Sequence, residues 1–157
     1  MAPLTIKSVV IVVMSALLIC GSSCKIQAQS GKDGWTTLGQ VTFTSVFDSD
    51  LLMETTKIRL SAAVEDLNNT TIEIEGFMIP LTGQTMQSHF MLSKYPQSTC
   101  FFCGKAGPET AMQVFMDGGK KVRISERKVK VQGTLLVNPT DANSLLYSLE
   151  KATIIAP

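Results

Sequence analysis

Apolar and polar residues alternate along most of the chain beyond residue 40, a pattern typical of strands that bury one face. Residues 41–47 alternate in this way, and residues 71–81 form a longer and more apolar run. Further segments of strand character lie at residues 88–93, 121–124, 128–137 and 147–155. The pattern therefore predicts a mainly β domain of about five short strands.

Two stretches have helical features instead. Residues 61–67 could form two helical turns, ended by Asn68 and Asn69. In residues 108–119, Pro108 stands in the first turn, and two glycines follow the last apolar position. Helical spacing would place Met112, Phe115 and Met116 on one face, packed on the core. The expected fold is thus α+β, with one short helix after a Cys-x-x-Cys loop.

Two of the predicted strands share the pattern apolar-x-apolar-x-Gly, which ends at Gly76 and at Gly133. A glycine inside a strand usually marks a bulge or a sharp bend. Two such bends in a small sheet indicate closure into an OB-like antiparallel barrel; the alternative is an open sheet with the helix on one face. No strand-helix-strand repeat is present, which argues against a thioredoxin fold.

The N-terminus is typical of an export signal. Residues 1–28 begin with a short cationic start, continue through an apolar stretch too short for a comfortable membrane span, and end in small residues. Ile26-Gln27-Ala28 resembles a peptidase site, whereas Gly21-Ser22-Ser23-Cys24 resembles a lipoprotein box. We therefore expect an exported protein, either periplasmic or anchored through a lipid at Cys24, with a tether at residues 29–34 and a single β-rich domain at residues 35–157.

Composition and charge narrow the function. A chain of 157 residues with a net charge of +1 has the length of one domain and no overall attraction for nucleic acid. The motifs of common hydrolases, phosphate loops and haem attachment are absent. Basic residues concentrate in one stretch, where we predict a solvated sheet face first and an anion-binding patch second: Lys120, Lys121, Arg123, Arg127, Lys128 and Lys130. Glu73 and Glu75 are expected to pair with basic neighbours on the adjoining strand.

Of the four cysteines in the sequence, only two are expected to remain as thiols in the processed domain. Either processing route removes Cys20, and lipoprotein processing also consumes Cys24, so the domain keeps Cys100 and Cys103. Two thiols separated by two residues can converge on one metal ion, and the following Gly104 lets the backbone turn back toward them. The segment therefore looks like one knuckle of a zinc ribbon, without the second half of such a site.

Four roles remain open for this pair. It could form a structural disulfide, bind a soft metal, act as a redox-active pair, or stay reduced and buried. A metal such as zinc or copper would need further ligands, which His89, water or a second copy of the chain could supply. The spacing of Pro108 from Cys103 weakens the redox case, because the predicted helix begins several residues after the thiols.

The chain also resembles a domain-of-unknown-function family of small exported bacterial proteins. The resemblance covers nearly the whole domain and rests on these segments: Trp35 with Leu38, residues 74–81, residues 90–92, the cysteine loop and residues 129–133. In many relatives the loop is Cys-x-His followed by prolines, whereas this chain has Phe102 at the histidine position and Cys103 after it. Exchange of Cys for His is natural in a metal site and unnatural in a disulfide. The family has no established activity to transfer.

The leading hypothesis is a non-enzymatic envelope protein that binds a soft metal through Cys100 and Cys103, with His89 as a third candidate ligand and no catalytic or cofactor-binding residues. The rival hypotheses are a thiol-disulfide redox partner and an interaction module with a structural disulfide. The expected partners are a second copy of the chain or another envelope protein. Contact with a membrane is expected only through the lipid anchor, and none with nucleic acid.

Overall fold

The computed structural model describes residues 34–49, 52–140 and 144–156. The predictions for the export segment and for residues 29–33, including Cys20 and Cys24, lie outside these residues. Gly34, expected to be the last tether residue, begins the first helix instead. Within the described ranges, no helix combines the length and the apolar composition that crossing a membrane requires.

The described chain consists mostly of strands. Its two short helices are α1 (Gly34–Leu38) and α2 (Ala62–Glu65). The strands are β1 (Val41–Asp48), β2 (Met53–Leu60), β3 (Thr71–Ile79), β4 (Met86–Gln87), β5 (His89–Ser93), β6 (Ala111–Met116), β7 (Val122–Arg123), β8 (Lys128–Val137) and β9 (Tyr147–Ala156). Single 3₁₀ turns cover Gln97–Thr99, Phe101–Cys103, Pro108–Thr110 and Asp117–Gly119.

Five of the strands close into a barrel in the order β3-β5-β6-β9-β8. All neighbours in the barrel are antiparallel except β6 and β9, which run parallel. A small closed five-stranded barrel of this kind is consistent with an OB-like fold. The mainly β class and the barrel predicted from alternation and glycines are therefore confirmed, and the open sheet is excluded.

Gly76 and Gly133 lie where neighbouring backbone leaves no room for a side chain. Strand β3 pairs with β8 up to Phe77 and with β5 from Phe77 onward, so Gly76 stands at the change of partner. A Cβ at Gly76 would lie 2.7 Å from the Ser93 carbonyl oxygen, and one at Gly133 would lie 2.8 Å from the Glu150 carbonyl oxygen. The pairing of β8 with β9 also shifts register at Gly133. Both glycines are needed because no side chain fits at these bends.

The helix predicted after the cysteine loop is wrong. Pro108 starts only a 3₁₀ turn, and the chain then enters strand β6, which pairs with both β5 and β9. Met112 and Met116 face the core, whereas Phe115 points to the opposite face, so the burial alternates with period two rather than with helical spacing. Two ladders of backbone hydrogen bonds outweigh the local capping pattern. Gly118 and Gly119 adopt positive φ angles in the turn that follows the strand.

Helix α1 packs on the barrel core. Trp35 and Leu38 are buried in the main core cluster, and the Trp35 indole Nε1 donates to the Glu75 carbonyl oxygen at 2.7 Å. The hydroxyl of the fully buried Tyr147 donates to the Leu38 carbonyl oxygen at 2.6 Å. Burial raises the pKa of Tyr147 far above its usual range, and the Glu109 carboxylate raises it further. The hydroxyl therefore stays protonated and holds the helix on the barrel.

Strands β1 and β2 form a hairpin of their own, outside the barrel. Strand β1 matches the predicted segment, but β2 was not predicted because its sequence is largely polar. At its base, Val41, Ile58 and Leu60 pack partly against the core. The positions nearer the tip are mostly exposed, so β1 is not the half-buried strand that its alternation predicts.

The acidic and basic residues of the sheet pair as predicted. Lys128 Nζ lies 3.6 Å from Glu75 Oε1, and Lys130 Nζ lies 4.0 Å from Glu73 Oε2 across strands β3 and β8. All four side chains are substantially exposed, so these ion pairs contribute little to stability. Of the six basic residues, Lys128 and Lys130 lie on a barrel strand and Arg123 lies on the separate strand β7, whereas Lys120, Lys121 and Arg127 lie outside the strands, so the predicted sheet face is formed only in part.

Candidate metal-binding site

The two cysteines lie on the connection between strands β5 and β6. The backbone N–H of Lys94 donates to the Thr110 carbonyl oxygen at 2.9 Å and closes the neck of this connection. We call residues 94–110 the Cys loop. Short 3₁₀ turns at both its centre and its end fix its path. The Cys loop therefore connects two paired barrel strands, and a backbone hydrogen bond joins its two ends.

The two thiols of the Cys loop converge on a single backbone atom. The Cys100 thiol donates to the Gln97 carbonyl oxygen at 3.2 Å, and the Cys103 thiol donates to the same oxygen at 2.9 Å. The two sulfurs therefore cannot be farther apart than the sum of these distances. Both cysteines are free thiols. Cys100 is 1% exposed, whereas Cys103 is exposed to solvent.

Gly104 ends the 3₁₀ turn that contains Cys103. Its φ of 67° lies in the left-handed region, which glycine adopts at little cost. The Gly104 N–H donates to the Phe101 carbonyl oxygen at 2.9 Å, and the Cys103 N–H donates to the Cys100 carbonyl oxygen at 3.1 Å. The chain therefore turns at Gly104, but the amides of Cys103 and Gly104 bond to carbonyl oxygens instead of pointing back at the sulfurs.

His89 lies apart from the two cysteines along strand β5. It begins the strand, whereas the Cys loop leaves after Ser93, about 13 Å further on at about 3.3 Å per residue. The His89 ring stacks on Phe115 with centroids 4.1 Å apart, and its Nε2 lies 3.2 Å from Gln113 Oε1. Among the described residues, no three His, Cys, Asp or Glu side chains are grouped closely enough to hold a metal ion. The structure does not bring His89 to the thiols as a third ligand.

The Cys loop carries three aromatic side chains, of which Tyr95 and Phe102 are exposed. Phe102 is 54% exposed and meets Phe101 edge to face, with ring centroids 5.3 Å apart. Tyr95 is also exposed, and the Lys94 ammonium lies 5.7 Å from its ring centre. A depression of about 300 Å³ lies beside the loop, but neither cysteine is among the residues that line it. The exposed Cys103 is therefore next in sequence to an exposed aromatic side chain and does not line this depression.

The residue that sequence reasoning missed is Gln97. Its contribution is a backbone carbonyl, which every residue possesses, so its side chain gave no indication of the role. The Cys-x-x-Cys spacing and Gly104 indicate a turn, but they do not indicate which backbone oxygen accepts the hydrogen bonds of the two thiols.

Comparisons with family models, with curated proteins and with solved structures found no match for this chain. The resemblance to a family of small exported bacterial proteins therefore stays a prediction. Function has to be argued from the Cys loop itself.

Proposed function

We propose that this chain is an exported, non-enzymatic envelope protein that binds Cu(I) through Cys100 and Cys103. The observation that carries the proposal is the convergence of both thiols on the Gln97 carbonyl oxygen. Two soft donors already held close together need little rearrangement to share one ion. Thiolates favour soft ions such as Cu(I).

The number of ligands favours copper over zinc. Structural zinc is almost always bound by four ligands, and catalytic zinc keeps three from the protein. Among the described residues, no third His, Cys, Asp or Glu side chain lies close enough to the two sulfurs to complete a metal site with them. Cu(I) can be held by two thiolates alone. The burial of Cys100 further limits how many additional ligands could approach an ion from its side.

Metal binding would exchange protons for the ion. A thiol must lose its proton to become a metal ligand, so binding releases protons and strengthens as the pH rises. The two hydrogen bonds that the thiols donate to the Gln97 carbonyl oxygen would be lost in that step. The ion would reach the site through the exposed Cys103 thiol. On the side of the buried Cys100, the bound ion would be shielded from solvent.

The export part of this proposal rests on residues 1–28. A short cationic start, an apolar stretch and two competing processing sites support passage across a membrane. The choice between a soluble form and a lipid anchor at Cys24 can be tested by mass spectrometry of the protein isolated from cells, since lipidation adds acyl chains to that cysteine.

Anaerobic titration of the reduced protein with Cu(I), in competition with a chromogenic Cu(I) chelator, tests the copper site. We expect one ion per chain, and loss of this binding in Cys103→Ser and in Cys100→Ser. His89→Ala is the matched control and should bind as the wild type does, because His89 lies away from the thiols. Equal binding by the wild type and Cys103→Ser would refute the proposal.

A thiol-disulfide redox partner is the second candidate, favoured by the unequal exposure of the thiols. The accessible Cys103 thiolate could attack a partner's disulfide and form a mixed disulfide. Cys100 would then displace the partner as a dithiol and leave a Cys100–Cys103 disulfide. The reduction potential discriminates, since a value below about −300 mV marks a structural disulfide. A higher potential, together with absent copper binding, would favour the redox function.

A further inference from the structure

The hairpin formed by β1 and β2 offers two strand edges outside the barrel. Strand β1 pairs with β2 over its whole length and with no other described strand. Exposed edges invite pairing with another chain, and proteins usually protect them with charges, prolines, bulges or covering elements. Beyond the base that packs on the core the hairpin is mostly exposed, and two strands alone are only marginally stable in water. The hairpin therefore gains from an added strand.

The two edges of the hairpin are protected differently. Strand β2 carries Glu54, Lys57 and Arg59, whereas β1 has no charge or proline from Val41 to Phe47. The β1 sequence is rich in the β-branched and aromatic residues that favour strands. Its Phe43 is 37% exposed and its Phe47 is 63% exposed. The unprotected edge is thus that of β1.

The sequence of β1 is suited to pairing with itself. Its centre is Phe43-Thr44-Ser45-Val46-Phe47, with Ser45 midway between the two aromatic rings. In an antiparallel pair centred on Ser45, each Phe43 lies opposite Phe47 of the partner subunit. Directly opposed residues point to the same face of a sheet, and aromatic cross-strand pairs stabilise it. Asp48 would then oppose Thr42 of the partner subunit, so no like charges meet.

We propose that a second copy of this chain adds its β1 to this edge, in the register centred on Ser45. The two hairpins then form one four-stranded antiparallel sheet across a two-fold axis. Such an interface is isologous, because both copies contribute the same strand. Moving the centre to Thr44 would place Phe43 opposite Ser45 of the partner subunit and lose both aromatic pairs. The inference is independent of the proposed copper site.

The oligomeric state of the protein as processed by the cell tests the dimer. We expect sedimentation velocity to show a concentration-dependent dimer for the wild type. Ser45→Lys would place two ammonium groups opposite each other at the axis and weaken association about tenfold or more. The matched control is Thr56→Lys, on the strand position paired with Ser45 but one strand away from the interface. A wild type that stays monomeric at its highest soluble concentration overturns the proposal, as does equal weakening by both variants.

Disulfide cross-linking tests the register. In a background of Cys100→Ser and Cys103→Ser, the variant Ser45→Cys should form a covalent dimer on mild oxidation. Opposed Cα atoms in an antiparallel pair lie roughly 4.5–5.5 Å apart, within the range of a disulfide. Thr44→Cys, which faces Val46 of the partner subunit in this register, should cross-link far less. Efficient cross-linking of Thr44→Cys but not of Ser45→Cys would overturn the register.

Discussion

Strand β5 ends at Ser93 and the Cys loop begins at the next residue, and the chain is built differently on the two sides of this boundary. In β5, Phe90 and Leu92 are fully buried, and Leu92 pairs with Met78 of β3 on one side and Met112 of β6 on the other. In the loop, Phe102 and Cys103 are exposed and the backbone is held by short local turns. The barrel buries its apolar side chains, whereas the loop displays a thiol and aromatic rings.

This difference implies that barrel positions determine the stability of the fold, whereas exposed loop positions determine binding. A barrel position is fixed by neighbours on several strands, so a substitution there should change the free energy of unfolding. A position near the loop apex has few packed neighbours, so a substitution there should change binding instead. The following substitutions test this division and run from the largest expected change in stability to the smallest.

Gly133→Ala should destabilise the barrel most. Its Cβ would lie 2.8 Å from both the Glu150 carbonyl oxygen and the Leu149 Cγ, so the backbone must move. We expect a loss of about 3 kcal/mol in the free energy of unfolding, measured by urea denaturation. Gly83→Ala is the control, because a Cβ there has no neighbour within 4 Å, and it should stay close to the wild type. Equal stabilities would show that the bend tolerates a side chain.

Tyr147→Phe should cost about 2 kcal/mol, because it leaves the Leu38 carbonyl without its buried donor. The wild type should also lose stability at alkaline pH. Burial and Glu109 raise the pKa of the Tyr147 hydroxyl in the folded protein. The contribution of this hydroxyl to the free energy of unfolding is therefore complete below the unfolded pKa of about 10 and declines as the pH rises above that value. The phenylalanine variant should show less of this alkaline decline. Identical pH profiles would contradict the assigned role.

Gly104→Ala should cost about 1 kcal/mol, all of it from the left-handed backbone. A Cβ at this position meets nothing within 4 Å, so no packing penalty is added. Gly104→Asn should recover part of the loss, since asparagine adopts this conformation more readily than alanine. Thermal unfolding of the three proteins gives the comparison. An asparagine variant less stable than the alanine variant would show that another contact controls the turn.

Cys103→Ser should change stability by less than about 0.5 kcal/mol, because the side chain is exposed at the loop apex. The same substitution should abolish Cu(I) binding, which makes it the clearest contrast with Gly133→Ala. Chemical denaturation and copper titration of one preparation provide both values. A large loss of stability would mean that the loop is part of the packed core after all.

The sequence predicts the barrel better than its individual elements. Alternation in β3 and β8 and the two bend glycines are local features with a direct geometric meaning. Strand β6 was mistaken for a helix because Pro108 and Gly118 resemble helix ends, while its partners β5 and β9 are distant in sequence. Strand β2 escaped prediction because its exposed faces leave no apolar pattern.

The candidate site was predictable only in part. The spacing of Cys100 and Cys103, together with Gly104, indicates a turn that brings two thiols together. The shared Gln97 carbonyl and the separation of His89 depend on how the loop leaves the barrel, and no local pattern encodes either one. Loop geometry therefore supplies what motif spacing cannot: the number of ligands that can reach one ion.

X-ray absorption at the copper edge of the Cu(I)-loaded protein tests the central claim most directly, because it counts the ligand atoms. We expect two sulfur ligands and no nitrogen for the wild type, and no bound copper in Cys103→Ser. A coordination shell that contains histidine nitrogen, or one that is unchanged by the substitution, would contradict a copper site built from Cys100 and Cys103 alone.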